Sequence, residues 1–566
     1  VDNMPGFSKI TVDGKTYTKE GNHPDNDDIF YLYLTGQDHQ MTSNGKSASI
    51  KWDNSNSRYV TQDIDFFGIN LKVSSTDVTS NWFYDLIDNK FNLLSGDNYT
   101  ITGYGTEVNS RIIVADNFNG TVTLENINIK GTDEIISLGE NTHLTLKFNG
   151  ENYLATTTGG KATISTTFES SSLTFDSDTN GILNVSSSSS GVAIGSMTNT
   201  YNITFNGGTV NAKGSSYQES DIGVALYGNG DAKNIVVNGG SINCLTSALG
   251  NSYSGNKFYI IECQITINGG TVTAPYIGGS TADSWGAPAT SVIVNGGSVK
   301  GNIQTYETLS NSNNQGVYLV KLKNQSGIDK VTIDDAMPYE RSGDHPDGDG
   351  DFYLYLTGEN HTITVGDKTY KVYWDKNTNT LKFENIIPTI SIDKKTSTGI
   401  TIQPLENQDI YGTAEYKINE GQWQESNEFT GLEVDTEYTV YARCKGNDRY
   451  TQSETGRIIV KTLKDGNALV EDSNPTNLSG VYGQKLSEIK LPDDWTWVDK
   501  DTALSVGTQS YIARFDTTGY EKEYDFTGIE GYNAEQHYVK MNLTIDVLKA
   551  DSSITITTSS LDKAYD

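Results

Sequence analysis

Apolar and polar residues alternate in short runs along most of this chain. Four runs are close to identical: residues 203–212 (ITFNGGTVNA), 235–244 (IVVNGGSINC), 265–274 (ITINGGTVTA) and 292–301 (VIVNGGSVKG). Alternate side chains of a strand point to one face, so each run predicts a strand, a Gly-permitted turn and a second strand. The Gly-Gly pairs begin at Gly207, Gly239, Gly269 and Gly296, steps of 32, 30 and 27 residues. A fixed motif with a variable step predicts stacked coils joined by loops of unequal length. Weaker coils are legible at 99–103 (YTITG), 122–131 (VTLENINIKG), 144–150 (LTLKFNG) and 173–185 (LTFDSDTNGILNV). Eight or so rungs follow, and at ~4.8 Å between strands they make a rod of about 40 Å. Long apolar stretches with helical period are lacking, so the expectation is all-β.

A second repetition surrounds the coils. Residues 21–36 (GNHPDNDDIFYLYLTG) return 322 residues later at 343–358 (GDHPDGDGDFYLYLTG), and the pairs His39/His361 and Trp52/Trp374 keep that offset. The FYLYL run alternates faces, turns at Gly and is followed by a strand ending in Trp-Asp, which reads as a small β unit. One copy precedes the coils and one follows them. Residues 368–385 also read as a lead-in to a further coil, so the second copy is either a cap or a separate domain.

From about Thr389 the pattern changes. Residues 415–423 (EYKINEGQW), 429–432 (FTGL) and 437–443 (EYTVYAR) resemble strands of a fibronectin type III-like sandwich. Residues 481–486 (VYGQKL), 495–497 (WTW) and 506–511 (VGTQSY), closing with a strand at 539–547, resemble a bacterial Ig-like module. The final SITITTSSLDKAYD looks like the opening of another module, of the type known for its Tyr-Asp-Gly motif. The expected division is a small β unit over 1–70, a parallel β-helix over 71–326, the second small unit over 327–387, a fibronectin type III-like domain over 388–463, an Ig-like domain over 464–549 and the start of a further module over 550–566.

Residues 94–301 are similar to right-handed parallel β-helices of surface proteins from Gram-positive, often gut-dwelling, Firmicutes. The segments 110–115 (SRIIVA), 121–131 and 191–195 (GVAIG) carry this resemblance together with the NGG rungs. It implies an extracellular, cell-wall-attached or secreted multidomain protein. A related branch includes polygalacturonate-binding β-helix proteins that use calcium. The fold class expected is therefore all-β: a right-handed parallel β-helix solenoid flanked by duplicated small β units, followed by Ig-like and fibronectin III-like sandwiches.

Charge and cysteine content narrow the functions. A formal charge of -31 over 566 residues repels phosphates and sets nucleic acid aside. Cys244, Cys263 and Cys444 form neither a disulfide framework nor metal spacing, and buried free thiols are expected. No run of about 18 apolar residues and no basic-then-apolar leader occurs, so no membrane span is expected in this stretch, and a monomer is.

Candidate chemistry falls into four groups. Asn206, Asn238, Asn268 and Asn295 share one rung position and predict a structural amide ladder. Asp347, Asp349 and Asp351 alternate with other residues, and Asp25 and Asp27 partly repeat them. Hard oxygens on a tight turn suit Ca2+, with a solvated acidic turn as the alternative, and Gly358 stands where an EF-hand would need Glu. His23, His345, His39 and His361 lack metal-ligand spacing and predict hydrogen bonding within the small units. Loops between rungs carry Tyr217, Tyr227, Tyr253, Tyr259, Tyr276, Trp285 and Tyr306, the aromatic group expected to bind a ligand. Trp423, Trp495 and Trp497 are expected in sandwich cores.

Acids of the rod (Glu107, Asp116, Glu125, Asp133, Glu134, Asp176, Asp178, Asp221, Glu262) show no repeated pairing, and no nucleophile motif appears. The expected function is a non-catalytic surface adhesin that binds a host or dietary glycan, or a host protein such as immunoglobulin, with sandwich modules as a stalk. A pectinase-like enzyme and a passive spacer are the competing classes.

Overall fold

The structure, a computed structural model, describes residues 8–21, 23, 30–75, 81–96, 98–178, 180–188, 190–215, 220–224, 232–251, 263–279, 291–305, 307–551, 553 and 555–557. The chain divides into two units, Val1–Lys382 and Phe383–Asp566. Among the described residues no helix is long and apolar enough to cross a membrane.

The first unit is built around a parallel β-solenoid of about 6 turns. One wall is a nine-stranded sheet running from Leu71–Ser75 through Asn98–Gly103, Asn119–Glu125, His143–Asn149, Ser172–Phe175, Thr200–Phe205, Ala232–Val237 and Cys263–Ile267 to Ser291–Val294. Only its first pair is antiparallel. The eight rungs read from the sequence are the parallel strands of this wall. The closed coil is shorter because the end strands lack a full set of neighbours on the other walls.

Registry explains the core. Tyr99, Val122, Leu146, Phe175, Phe205, Val237, Ile267 and Val294 lie opposite one another down this wall and are all buried. Phe175 and Phe205 stack face to face, 4.8 Å between centroids and 5° between planes. The other walls add Leu154, Leu183, Val210 and Ile242, and Ile136, Ile164, Ile194 and Ile222, to the same cluster. No coil closes such a column alone, so burial is cooperative along the stack. Cys244 and Cys263 are buried free thiols within it.

The NGG turn owes its glycines to stacking. A methyl group on Gly239 would stand 2.5 Å from Asn206 O, and one on Gly240 2.6 Å from Gly208 O. The same collision recurs at Gly269, Gly270, Gly296 and Gly297, each against a carbonyl of the preceding coil. Gly240, Gly270 and Gly297 also take φ near +80°, which a side chain disfavours.

Both small units are five-stranded with one strand order. The first pairs Lys15–Thr18, Lys9–Val12, His39–Ser43, Lys46–Asp53 and Arg58–Thr61, and the second Met337–Glu340, Lys330–Ile333, His361–Val365, Lys368–Asp375 and Thr380–Phe383. A histidine clasp fixes each. His39 Nδ1 meets Asp13 Oδ2 at 2.5 Å and His361 Nδ1 meets Asp334 Oδ2 at 2.7 Å, while the other ring nitrogen reaches Thr35 O or Thr357 O.

The FYLYL runs differ. In the second copy Phe352–Thr357 pairs antiparallel with Val317–Leu322. In the first, residues 30–35 belong to no sheet among the described residues, contrary to the expected strand.

In the second unit, two three-stranded sheets enclose one core. Ile400, Ile402 and Phe429 from Gly399–Ile402 and Glu428–Thr430 face Tyr416, Val440, Ala442 and Val460 from Ala414–Ile418, Glu437–Cys444 and Gly456–Lys461. A second body follows, in which Tyr538–Leu548 is flanked by Gly507–Asp516 and, in parallel, by Leu478–Val481. The short helix Gly466–Asp472 contributes Val470 to its core beside Trp495 and Phe515. Trp495 is a core residue and Trp497 is half-buried, donating to Ile489 O at 3.0 Å. Trp423 departs from expectation: it lies outside any strand, half-buried, with the Arg443 guanidinium 4.1 Å from its ring centroid. A cation on its face takes the place of a hydrophobic partner.

Candidate functional site

The NGG turns place their amides in one line. Asn238 Nδ2 donates to Asn206 Oδ1 at 3.0 Å, Asn268 Nδ2 to Asn238 Oδ1 at 2.8 Å, and Asn295 Nδ2 to Asn268 Oδ1 at 2.7 Å. Ser312 closes one end, its N–H donating to Asn295 Oδ1 and its hydroxyl accepting from Asn295 Nδ2. A second ladder, Asn184–Asn211–Asn243, runs down the next wall with 2.9 Å bonds at both steps. Each primary amide has two donor hydrogens and two lone pairs, and a ladder bond consumes one of each. The exposed amides of the first ladder therefore keep hydrogen-bonding capacity for a molecule lying along them.

A groove of about 850 Å3 follows this ladder. Its floor is backbone, the Gly207–Gly208 and Gly239–Gly240 turns with Gly270. Asp178 stands on one side, and Asp329 and Glu340 of the second small unit on the other. Lys330 Nζ pairs with Glu340 Oε1 at 2.9 Å, and Gly343 N–H donates to Asp329. The flat floor is a consequence of coil stacking, since the same glycines that admit the preceding carbonyl leave no side chain above it.

The second small unit forms the other wall because it is pegged to the solenoid. His345 is buried, with Nε2 2.8 Å from Ser298 Oγ and Nδ1 2.7 Å from Thr273 Oγ1, hydroxyls of adjacent coils. Burial, reinforced by Lys300 and Arg341, pushes the imidazole pKa down to about 4. Gly270 N–H donates to Glu340 O at 2.9 Å, Thr271 Oγ1 donates to Gly343 O at 3.0 Å, and Tyr353 N–H donates to Ser298 Oγ at 2.9 Å. Tyr355 covers the end of the solenoid core with Val317. The second copy is therefore a cap on the coils.

The acidic turn serves this docking. Lys300 Nζ donates to Asp347 Oδ2 at 2.5 Å and to Asp349 Oδ2 at 2.8 Å, and Lys321 Nζ lies 2.8 Å from Asp351 Oδ2. Burial opposes ionisation of Asp349, but Lys300 and the Tyr353 hydroxyl outweigh it and hold its carboxyl below the usual range. Arg341 is buried and donates to Ile328 O, Asp351 O, Gln325 O and Asp344 Oδ1. Asp347 and Asp349 thus share the Lys300 ammonium, and Asp351 turns to Lys321, so in this structure the three carboxylates are paired with lysines. Among the described residues no three carboxylate, histidine or cysteine groups gather in a way that holds a metal ion.

Asp25 and Asp27 lie outside the described residues, as do Tyr217, Tyr227, Tyr253, Tyr259, Trp285 and Tyr306. Tyr276 is described; it is half-buried in Thr271–Gly279 and does not line the groove. His23 is exposed, with its ring edge on Tyr31 at 4.8 Å. Glu262 lies outside the described residues, and several other acids of the rod have structural partners. Asp133 lies 2.9 Å from Arg111 and 3.1 Å from Lys161, and buried Asp221 accepts the N–H groups of Gly214, Thr246 and Ser247. Burial raises the Asp221 carboxyl despite these bonds.

The sequence reading missed the groove itself. Asn206 and Asn238 were legible as a ladder, but Glu340 and Asp329 reach the same place from more than 90 residues further along the chain. A second groove of about 470 Å3 beside Trp82, Lys46, Lys72 and Asp63 was also missed, since its residues come from the junction of the first small unit with the coils. No protein-family model matches this chain, and no curated protein does.

Proposed function

We propose that this chain is a non-catalytic binding protein of a bacterial cell surface, an adhesin whose solenoid flank holds an extended glycan in the groove along Asn206 and Asn238. The observation that supports this is the groove's floor: peptide backbone and exposed amides in register, with no apolar side chain between them. Sugar hydroxyls are both donors and acceptors, and a ladder offering both kinds at a regular spacing matches a polymer better than a compact apolar molecule. A long shallow groove also suits weak contacts repeated along a chain. The sandwich bodies after Phe383 serve as the stalk, in the manner of Ig-like modules of surface proteins.

The ligand class is a host or dietary glycan. A glycan array probed with the full chain tests this, with Asn206→Ala and Asp178→Ala as groove variants. The expected result is binding of a neutral polysaccharide that weakens about tenfold in either variant, the loss of one or two hydrogen bonds. Capture of immunoglobulin or another host protein with a blank array replaces the glycan by a protein ligand. Shortening of an incubated polymer, seen by chromatography, replaces the adhesin by an enzyme.

A further inference from the structure

The four NGG turns share one tripeptide, yet the fold holds their asparagines differently. Each ladder bond runs from the Nδ2 of one coil to the Oδ1 of the coil before it, so Asn238 and Asn268 both donate and accept. Asn295 donates to Asn268 Oδ1 and Ser312 Oγ and accepts the Ser312 N–H, which closes that end of the ladder. Asn206 is the open end. Its Oδ1 accepts from Asn238, and among the described residues its Nδ2 has no acceptor. The register puts Asp176 at the same place one coil earlier, and that carboxylate lies 3.5 Å from Lys147 Nζ.

The backbone repeats the difference. Gly239 N–H donates to Phe205 O at 3.2 Å and Gly269 N–H to Val237 O at 3.3 Å, whereas the Gly207 N–H has no acceptor among the described residues. Gly296 N–H is likewise without one, but there the neighbouring Asn295 side chain is tied by three bonds. Asn206 is exposed, and the residue after it is a glycine, with no side chain to obstruct its nitrogen. A free backbone nitrogen beside a primary amide whose own nitrogen holds nothing is the arrangement in which an asparagine cyclises. At Asn238 and Asn268 the same reaction must first break hydrogen bonds on both partners.

We propose that Asn206 is a self-modification site, where the amide converts to an acid. The Gly207 nitrogen gives its proton to water and bonds to Asn206 Cγ. The Cγ–Nδ2 bond then breaks, and Nδ2 takes a proton from water and leaves as ammonia. A second water opens the cyclic imide at either carbonyl, giving aspartate or isoaspartate. Amide and water thus become acid and ammonia, with no other reactant. The product suits this end of the ladder, because Asn206 only accepts there and a carboxylate accepts as well. An acid at Asn238 or Asn268 would lose a donor and leave the Oδ1 of the preceding coil unpaired. The conversion adds a negative charge to a groove floor that Asp178 already borders, which disfavours anions there. The assignment holds whatever ligand the groove takes.

The test incubates the full chain, native and in denaturant, in one mildly alkaline buffer until the denatured sample has converted. Proteolysis and mass spectrometry then follow the four NGG peptides. The residues before the asparagines differ, Phe205, Val237, Ile267 and Val294, so each site is read as its native rate divided by its denatured rate. Asn206 is expected to show the highest ratio, about tenfold or more above Asn238 and Asn268, since one net hydrogen bond broken on the way is worth about that factor. Isoaspartate should accompany aspartate in the Asn206 peptide. A ratio at Asn206 no higher than at Asn238 and Asn268 overturns the proposal, as does an Asn206 that stays intact in the native chain. Aspartate without isoaspartate also overturns it, because direct hydrolysis would then replace the attack by Gly207.

Discussion

His345 and Ser298 are 47 residues apart in the chain and 2.8 Å apart in space, ring nitrogen to hydroxyl. That bond, with its twin to Thr273, fastens the second small unit across two coils and creates the wall of the groove. The pegging group is a titratable one placed where water is excluded.

Stability of the first unit should therefore fall in mild acid. His345 has a folded pKa of about 4 against an ordinary 6.5, so between these values the unfolded chain binds a proton that the folded chain refuses. Its contribution is complete above pH 6.5, declines as pH falls and is gone near pH 4, a loss of roughly 3 kcal/mol. Thermal unfolding at pH 7 and pH 4.5 measures this. His345→Gln should show a visibly smaller drop, and an identical drop refutes the assignment.

His39 titrates in the opposite sense. Burial opposes its charge, but the bonds to Asp13 and Thr35 O outweigh burial and raise its pKa. Its contribution is fully present below the ordinary value of 6.5 and is lost as pH rises through the folded value. An NMR titration should place the His39 midpoint above 6.5, and Asp13→Asn should bring it down.

Two glycines with the same backbone angle separate strain from collision. Gly14 and Gly240 both have φ +81°, but a methyl on Gly14 meets nothing within 4 Å, while one on Gly240 meets Gly208 O at 2.6 Å. Gly14→Ala should cost about 1 kcal/mol, from backbone strain alone. Gly240→Ala should cost roughly 3 kcal/mol or more, because the coil must shift as well. Chemical denaturation of the two variants compares them; equal losses would show that coil stacking does not demand the glycine.

Removing one ring from the column should be costly. Phe205→Ala deletes a fully buried side chain stacked on Phe175, and about 3–5 kcal/mol is expected for a cavity between two coils. Tyr33→Ala, of comparable size but 95% exposed, should leave stability within about 0.5 kcal/mol of the parent. Unfolding curves of both variants read the contrast directly.

What the sequence by itself determined here is what repeats at short range. Period-two alternation marked the strands, the NGG motif marked the coils, and the equal place of Asn206, Asn238, Asn268 and Asn295 in each motif forced their amides into one line. Each of these follows from the backbone geometry of a few adjacent residues, which a linear reading can see.

Only the tertiary structure decided what distant segments do to one another. The Asp-rich turn reads as a cation loop until Lys300 and Lys321 arrive from the last coil and from Val317–Leu322 to take its carboxylates. Trp423 reads as core until Arg443 covers its ring. The clearest case is FYLYL, one pentapeptide with Tyr355 at 6% exposure and Tyr33 at 95%. Burial and ion pairing are supplied by whatever packs against a residue, and the partners of the Asp-rich turn and of Trp423 lie tens of positions away in the chain.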